Sequence, residues 1–94
     1  MDFKGKTAIV TGSSYGIGRA AAIALAKEGA DIILAARSMD KLEAVKKEIE
    51  SLGRKAEAIE CDVAKDESVA AMKDRALQAF KNVDIIINNA GIGL

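Results

Sequence analysis

Ninety-four residues, half of them hydrophobic and 3% aromatic, suffice for one small domain with a modest core. Fourteen basic residues balance fourteen acidic ones, and the signs interleave, as at Glu43, Lys46, Lys47, Glu48 and Glu50, which excludes the one-signed stripe of a nucleic-acid face. With no histidine and a single cysteine, Cys61, neither an internal disulfide nor a Cys/His metal cluster can form; Cys61 reads as a small buried hydrophobe at a strand end, in a reducing, cytoplasmic setting.

The N-terminal residues Met1 to Lys6 lack an apolar signal core, and no stretch in the chain approaches the ~20 apolar residues of a membrane span. Thr7–Thr11 reads as the first strand. It runs into Gly12-Ser13-Ser14-Tyr15-Gly16-Ile17-Gly18 and then into the alanine-rich segment from Ile17 to about Glu28, which reads as a helix closed by Gly29. Three glycines therefore stand where a strand becomes a helix. Gly12 permits the tight turn, Gly16 lets backbone approach a diphosphate, and Gly18 allows close helix–strand packing. The first N–H groups of such a helix lack intrahelical acceptors and sit at the positive end of its dipole, which suits an anion.

A second strand is expected at Asp31–Ala36. After it, Met39, Leu42, Val45, Ile49 and Leu52 form one apolar stripe at helical spacing, with Asp40 and Glu43 at capping-box spacing and Gly53 as the stop. The third strand is expected at Lys55–Glu60. The third helix spans about Asp66 to Phe80, with Asp66 and Glu67 in its first turn and Val69, Met72, Ala76 and Phe80 on one side. The fourth strand is expected at Asp84–Asn88; Ile85-Ile86-Ile87 lacks alternation, as in a strand covered on both faces. Successive β-α units with right-handed crossovers give an α/β fold, a doubly wound, Rossmann-like parallel sheet of four strands in the order 3-2-1-4 with three helices. Residues 1–94 form one such unit, with no linker or second domain.

The glycine spacing is G-x-x-x-G-x-G, and Thr11 to Gly18 resembles the T-G-x-x-x-G-I-G loop of the short-chain dehydrogenase/reductase family. Asn88-Asn89-Ala90-Gly91 resembles that family's N-N-A-G signature. The resemblance covers essentially the whole chain and implies an NAD(P)-binding unit, the N-terminal part of a longer domain. It places the loop residues Gly12, Ser14, Tyr15, Gly16, Ile17 and Gly18 against the cofactor, Asp62 and Val63 beside the adenine, and Asn89, Ala90 and Gly91 beneath the ribose and nicotinamide, with Asn88 tying strands together. For Asp62 a turn or helix-capping role is an open alternative, and Asn88 and Asn89 also suit a simple turn before Gly91. Both signatures converge on the crevice between strands 1 and 4, where the direction of the connections reverses.

At the end of the second strand an acidic residue would accept ribose hydroxyls and repel a 2′-phosphate. Here Ala36 is followed by Arg37, whose guanidinium can hold a phosphate through two parallel hydrogen bonds, and Ser38 can add a hydroxyl. NADP(H) is therefore expected over NAD, although Ser14 and Tyr15 stand where family members often carry a further basic residue. The alternative for Arg37 is a solvent-facing residue before the helix.

The family transfers hydride between nicotinamide and a carbonyl or alcohol, using a serine and a Tyr-x-x-x-Lys pair in which lysine depresses the tyrosine pKa from ~10. This sequence has one tyrosine, Tyr15, with Arg19 four residues on, so no catalytic residue is assigned, and no metal ligand either. A small-molecule substrate is expected only for a full-length form. A freestanding, non-catalytic NAD(P)-binding or regulatory module is the alternative, and an interaction protein using the fold's open edge is a third reading. That edge is the isoleucine-rich fourth strand, an expected site of self-association.

Overall fold

The computed structural model describes residues 3–13, 16–62, 64–80 and 82–88. In chain order these form β1 (Thr7–Thr11), α1 (Gly16–Lys27), β2 (Asp31–Ala36), α2 (Met39–Ser51), β3 (Ala56–Glu60), α3 (Asp66–Ala79) and β4 (Ile85–Ile87). The strands make one parallel sheet in the order β3-β2-β1-β4, as expected. No helix among the described residues is long and apolar enough to cross a membrane.

Side chains of consecutive strand residues leave the sheet on opposite faces, and both faces of its centre are covered. On one, Ala8 and Val10 of β1 and Ile32 and Leu34 of β2 pack with Ala22 and Ala26 of α1 and with Leu42, Val45 and Ile49 of α2. On the other, Ile9, Ile33, Ala35 and Ile59 pack with Met72 and Ala76 of α3, joined by Val69, Phe80 and Val83. All five residues of β1 are consequently buried. Alanines face the sheet from α1, so its axis can lie close to β1 and β2, and the start of the helix is carried by the most buried strand. Cys61, directly after β3, is a buried hydrophobe, 2% exposed.

Element ends differ from expectation by a residue or two, for identifiable reasons. β4 is shorter than Asp84–Asn88 because side chains complete its ends. The Thr7 N–H donates to the Asp84 carboxylate at 3.0 Å while the Asp84 N–H donates to Thr7 O at 2.9 Å, and the Thr11 hydroxyl lies 3.1 Å from Asn88 Oδ1. Lys55 precedes β3, its N–H held by the Asp31 carboxylate at 3.0 Å. The N-cap of α2 is Ser38, whose hydroxyl makes no capping bond. Asp40 thus lies inside the first turn, where it complements the dipole instead of opening a capping box with Glu43. Leu52 leaves the apolar stripe: helical backbone stops at Ser51, Leu52 becomes the C-cap, and its side chain is 42% exposed.

Gly29 ends α1 for two reasons at once. Its φ of 104° suits glycine, and a Cβ there would come within 3.0 Å of the Lys4 backbone.

The stripe supplies a stability test. Ile49, fully buried, should cost about 2–5 kcal/mol when changed to alanine, whereas Leu52→Ala should stay within about 0.5 kcal/mol. Urea denaturation of both variants checks this; equal losses would contradict the placement of Leu52 outside the core.

Candidate functional site

The carboxyl ends of β1, β2 and β3 lie side by side in the sheet. Gly12 turns the chain off β1 with φ 62°, and its N–H donates to Ala35 O at 2.8 Å, which fastens this turn to the end of β2. Gly16 opens α1 with φ 63°, and a Cβ built on it meets no atom within 4 Å. Glycine is therefore needed there by backbone conformation, and the space outside it is open. Gly18, one turn-face further, is buried, while Ile17 is 75% exposed at the mouth of the helix.

The electrostatics of this end follow from the helix. Its first N–H groups lack intrahelical acceptors. The first turn of α1 contains no acidic residue, whereas α2 carries Asp40 there and α3 carries Asp66 and Glu67. Of the three helices, α1 thus keeps the least compensated positive end. Ser13, between the two glycines, is 0% exposed, and its Oγ has no hydrogen-bond partner among the described residues. Sequence reasoning passed over it, because a serine in a Gly/Ser loop reads the same whether it faces solvent or core.

Beside this loop, Arg37 follows β2 directly. Its side chain is exposed and makes no ion pair or side-chain hydrogen bond among the described residues. The neighbouring Ser38 hydroxyl makes no capping bond to α2. Asp62 follows β3, whose end is fastened to β2 by the Cys61 N–H donating to Ala36 O at 2.9 Å. Asp62 behaves as a turn residue: its Oδ1 accepts the Ala64 N–H at 3.0 Å, and its own N–H donates to Ser68 Oγ at 2.9 Å. Gly12, Gly16, Ile17, Gly18, Arg37, Ser38 and Asp62 therefore lie at one end of the sheet, on neighbouring strand ends. Ser14, Tyr15, Val63, Asn89, Ala90 and Gly91 lie outside the described residues. Asn88, at the edge of that set, joins β4 to β1 through Thr11 across the point where the strand order reverses.

The opposite end of the sheet has a shallow depression lined by Lys4, Lys27, Leu52 and Arg54 among others. Its arginine is engaged: Arg54 Nη1 donates to Gly29 O at 3.1 Å and Nε to Gly53 O at 2.9 Å. Two helices end there, and their dipoles turn negative ends toward it. That end suits no anion as well as the α1 N-terminus does.

Comparison with known proteins identifies the family. The short chain dehydrogenase family matches residues 6–94. The 3-oxoacyl-[acyl-carrier-protein] reductase FabG of Staphylococcus epidermidis is 46% identical over 88 residues, covering 93% of this chain and 36% of that protein. The crystal structure of L-sorbose reductase from Gluconobacter frateurii, complexed with NADPH and L-sorbose, superposes with a TM-score of 0.94 at 42% identity, covering 100% of this chain and 36% of the other. That of a hydroxysteroid dehydrogenase from Escherichia coli does so with a TM-score of 0.94 at 38% identity, covering 99% and 40%. The chain thus spans well under half the length of each of these proteins. Sheet order, glycine loop and family match agree, and the chain belongs to the short-chain dehydrogenase family.

Proposed function

We propose that residues 1–94 form the NADP(H)-binding portion of a longer short-chain oxidoreductase that transfers hydride between nicotinamide and a carbonyl or alcohol substrate. The observation that carries this reading is the α1 N-terminus: amides without intrahelical acceptors, no carboxylate in the first turn, and open space where Gly16 lacks a side chain. In this reading the diphosphate lies against the Gly12–Gly18 loop, and Arg37 with Ser38 holds the 2′-phosphate. Asp62 and Val63 lie beside the adenine, and Asn89, Ala90 and Gly91 lie under the ribose and nicotinamide. Once bound, the cofactor supplies the hydride donor or acceptor. The chain's own residues bind and orient it; the acid–base chemistry belongs to groups beyond this sequence, whose one tyrosine sits in the glycine loop.

NADP(H) is favoured over NAD by Arg37, an exposed guanidinium without an ion pair among the described residues, standing where an acid would repel the extra phosphate. The NADPH complex of the sorbose enzyme supports the same choice. A cytoplasmic setting fits the free, buried Cys61.

The reading extends to association. Among the described residues β4 is paired on one side only, by β1, and Ile86 is 59% exposed on the face that carries Ile9 and α3. An apolar edge of this kind pairs readily with a second chain.

Three measurements test these proposals. NADPH fluorescence titration should show binding, and Arg37→Asp should lower the NADP-over-NAD preference at least tenfold, since charge-assisted hydrogen bonds of about 1.5–3 kcal/mol are lost; an unchanged ratio removes Arg37 from the site. Gly16→Ala should cost about 1–2 kcal/mol of stability by chemical denaturation, because alanine resists a φ of 63°, and should weaken NADPH further by placing a methyl in the open space. A variant that binds normally would contradict the diphosphate's location. Sedimentation velocity should show concentration-dependent association of the isolated chain, reduced by Ile86→Lys; a monodisperse monomer at all concentrations refutes the edge contact.

A further inference from the structure

Where β3 gives way to α3, the hydrogen bonds centre on Ser68. This residue stands in the first turn of α3, which begins at Asp66 after the N-cap Lys65. A serine near a helix start ordinarily caps that helix from the N-cap position. Here the N-cap is a lysine that makes no side-chain cap bond, and the serine reaches back out of the helix instead. Ser68 Oγ accepts the Asp62 N–H at 2.9 Å, and Ser68 O accepts from Cys61 Sγ at 3.8 Å. Cys61 in turn donates its N–H to Ala36 O of β2 at 2.9 Å, so the first turn of α3 is tied through these residues to the sheet. Asp62 is left with little freedom. Its N–H goes to Ser68, its carbonyl oxygen accepts the Lys65 N–H at 3.0 Å, and its Oδ1 accepts the Ala64 N–H at 3.0 Å. Its Oδ2 carries no bond among the described residues. The turn occupies one carboxylate oxygen and leaves the other, so a turn role and a nucleotide role for Asp62 do not compete.

Resting on the reading that puts Asp62 beside the adenine, we propose that Ser68 is a positioning residue for base selection: by holding the Asp62 backbone, its hydroxyl fixes where the second carboxylate oxygen sits. Ser68 itself does not touch the nucleotide. An ionised carboxylate only accepts hydrogen bonds, so a fixed one favours a base with an exocyclic amine, a donor, over a base with a carbonyl oxygen at the same place. A carboxylate released from that hold turns away from the carbonyl oxygen and must be ordered again to meet the amine, which narrows the difference between the two bases.

The test is a fluorescence titration of the full chain with NADPH and with its deaminated analogue, in which hypoxanthine replaces adenine. The unsubstituted chain should bind NADPH about tenfold more tightly, the worth of one hydrogen bond to a charged acceptor. Asp62→Ala should abolish that preference. Ser68→Ala should reduce it about fivefold through weaker NADPH binding, and Ser68→Thr, which keeps the hydroxyl, should restore it. In the nucleotide-free Ser68→Ala chain, amide hydrogen exchange should quicken at Asp62 and keep its rate in α3 from Met72 onward. A serine that merely supports the fold weakens both nucleotides equally and loosens α3 as a whole. Either of those outcomes, an unchanged preference in Ser68→Ala, or no restoration by Ser68→Thr would overturn the assignment. If the unsubstituted chain shows no preference, or Asp62→Ala keeps it, the adenine placement of Asp62 falls and takes this inference with it. If Asp62→Ala removes the preference and Ser68→Ala does not, only the role of Ser68 falls.

Discussion

The constraint on which the rest depends is a helix that begins just past a buried strand with no acidic residue in its first turn. A helix start normally draws a capping side chain or an acidic residue in its first turn. α2 and α3 follow that rule with Asp40, Asp66 and Glu67, while the first turn of α1 has no acidic residue. The approach to α1 is anchored in the sheet. Its preceding strand is buried along its whole length, and the turn between them is fastened to β2 by the Gly12 amide. An anchored helix start with no carboxylate in its first turn is what the proposed diphosphate site relies on.

The remaining architecture orients that site. Alanines on α1 bring the helix close to the sheet, and β1 lies between β2 and β4, so the loop has a neighbour on either side. On the β2 side stands Arg37, and on the β4 side stands Asn88, linked through Thr11. Side-chain bonds from Asp84 and Asn88 fix both ends of the short β4 strand to β1, so its register does not rely on a long ladder. Beyond β4, among the described residues, the sheet has an open apolar edge, in keeping with relatives that are much longer than this chain.

Much of this was legible in the residues because several signals agreed. The β1-loop-α1 unit combines an apolar strand, positionally constrained glycines and a helix rich in small side chains, and the α2 stripe has unbroken helical spacing through Ile49. Legibility failed where a side chain replaced a backbone group or where direction mattered. Leu52 continues the numerical spacing but not the helix. Asp40 has cap spacing yet stands after the true N-cap, Ser38. The ends of β4 look like strand because Asp84 and Asn88 flank an apolar run, and only their side-chain bonds show that the ladder stops. The burial of Ser13 was also illegible, since no periodicity encodes it.

The central claim, that the α1 N-terminus grips the diphosphate of a dinucleotide, is tested most directly by following backbone amide resonances of the isotope-labelled chain during NADPH titration. The account predicts that the largest shifts fall at Gly12, Gly16, Ile17 and Gly18, with Arg37 moving beside them. Shifts gathered instead around Lys27, Gly29 and Arg54 at the other end of the sheet, or no shifts at millimolar NADPH in a folded sample, would contradict it.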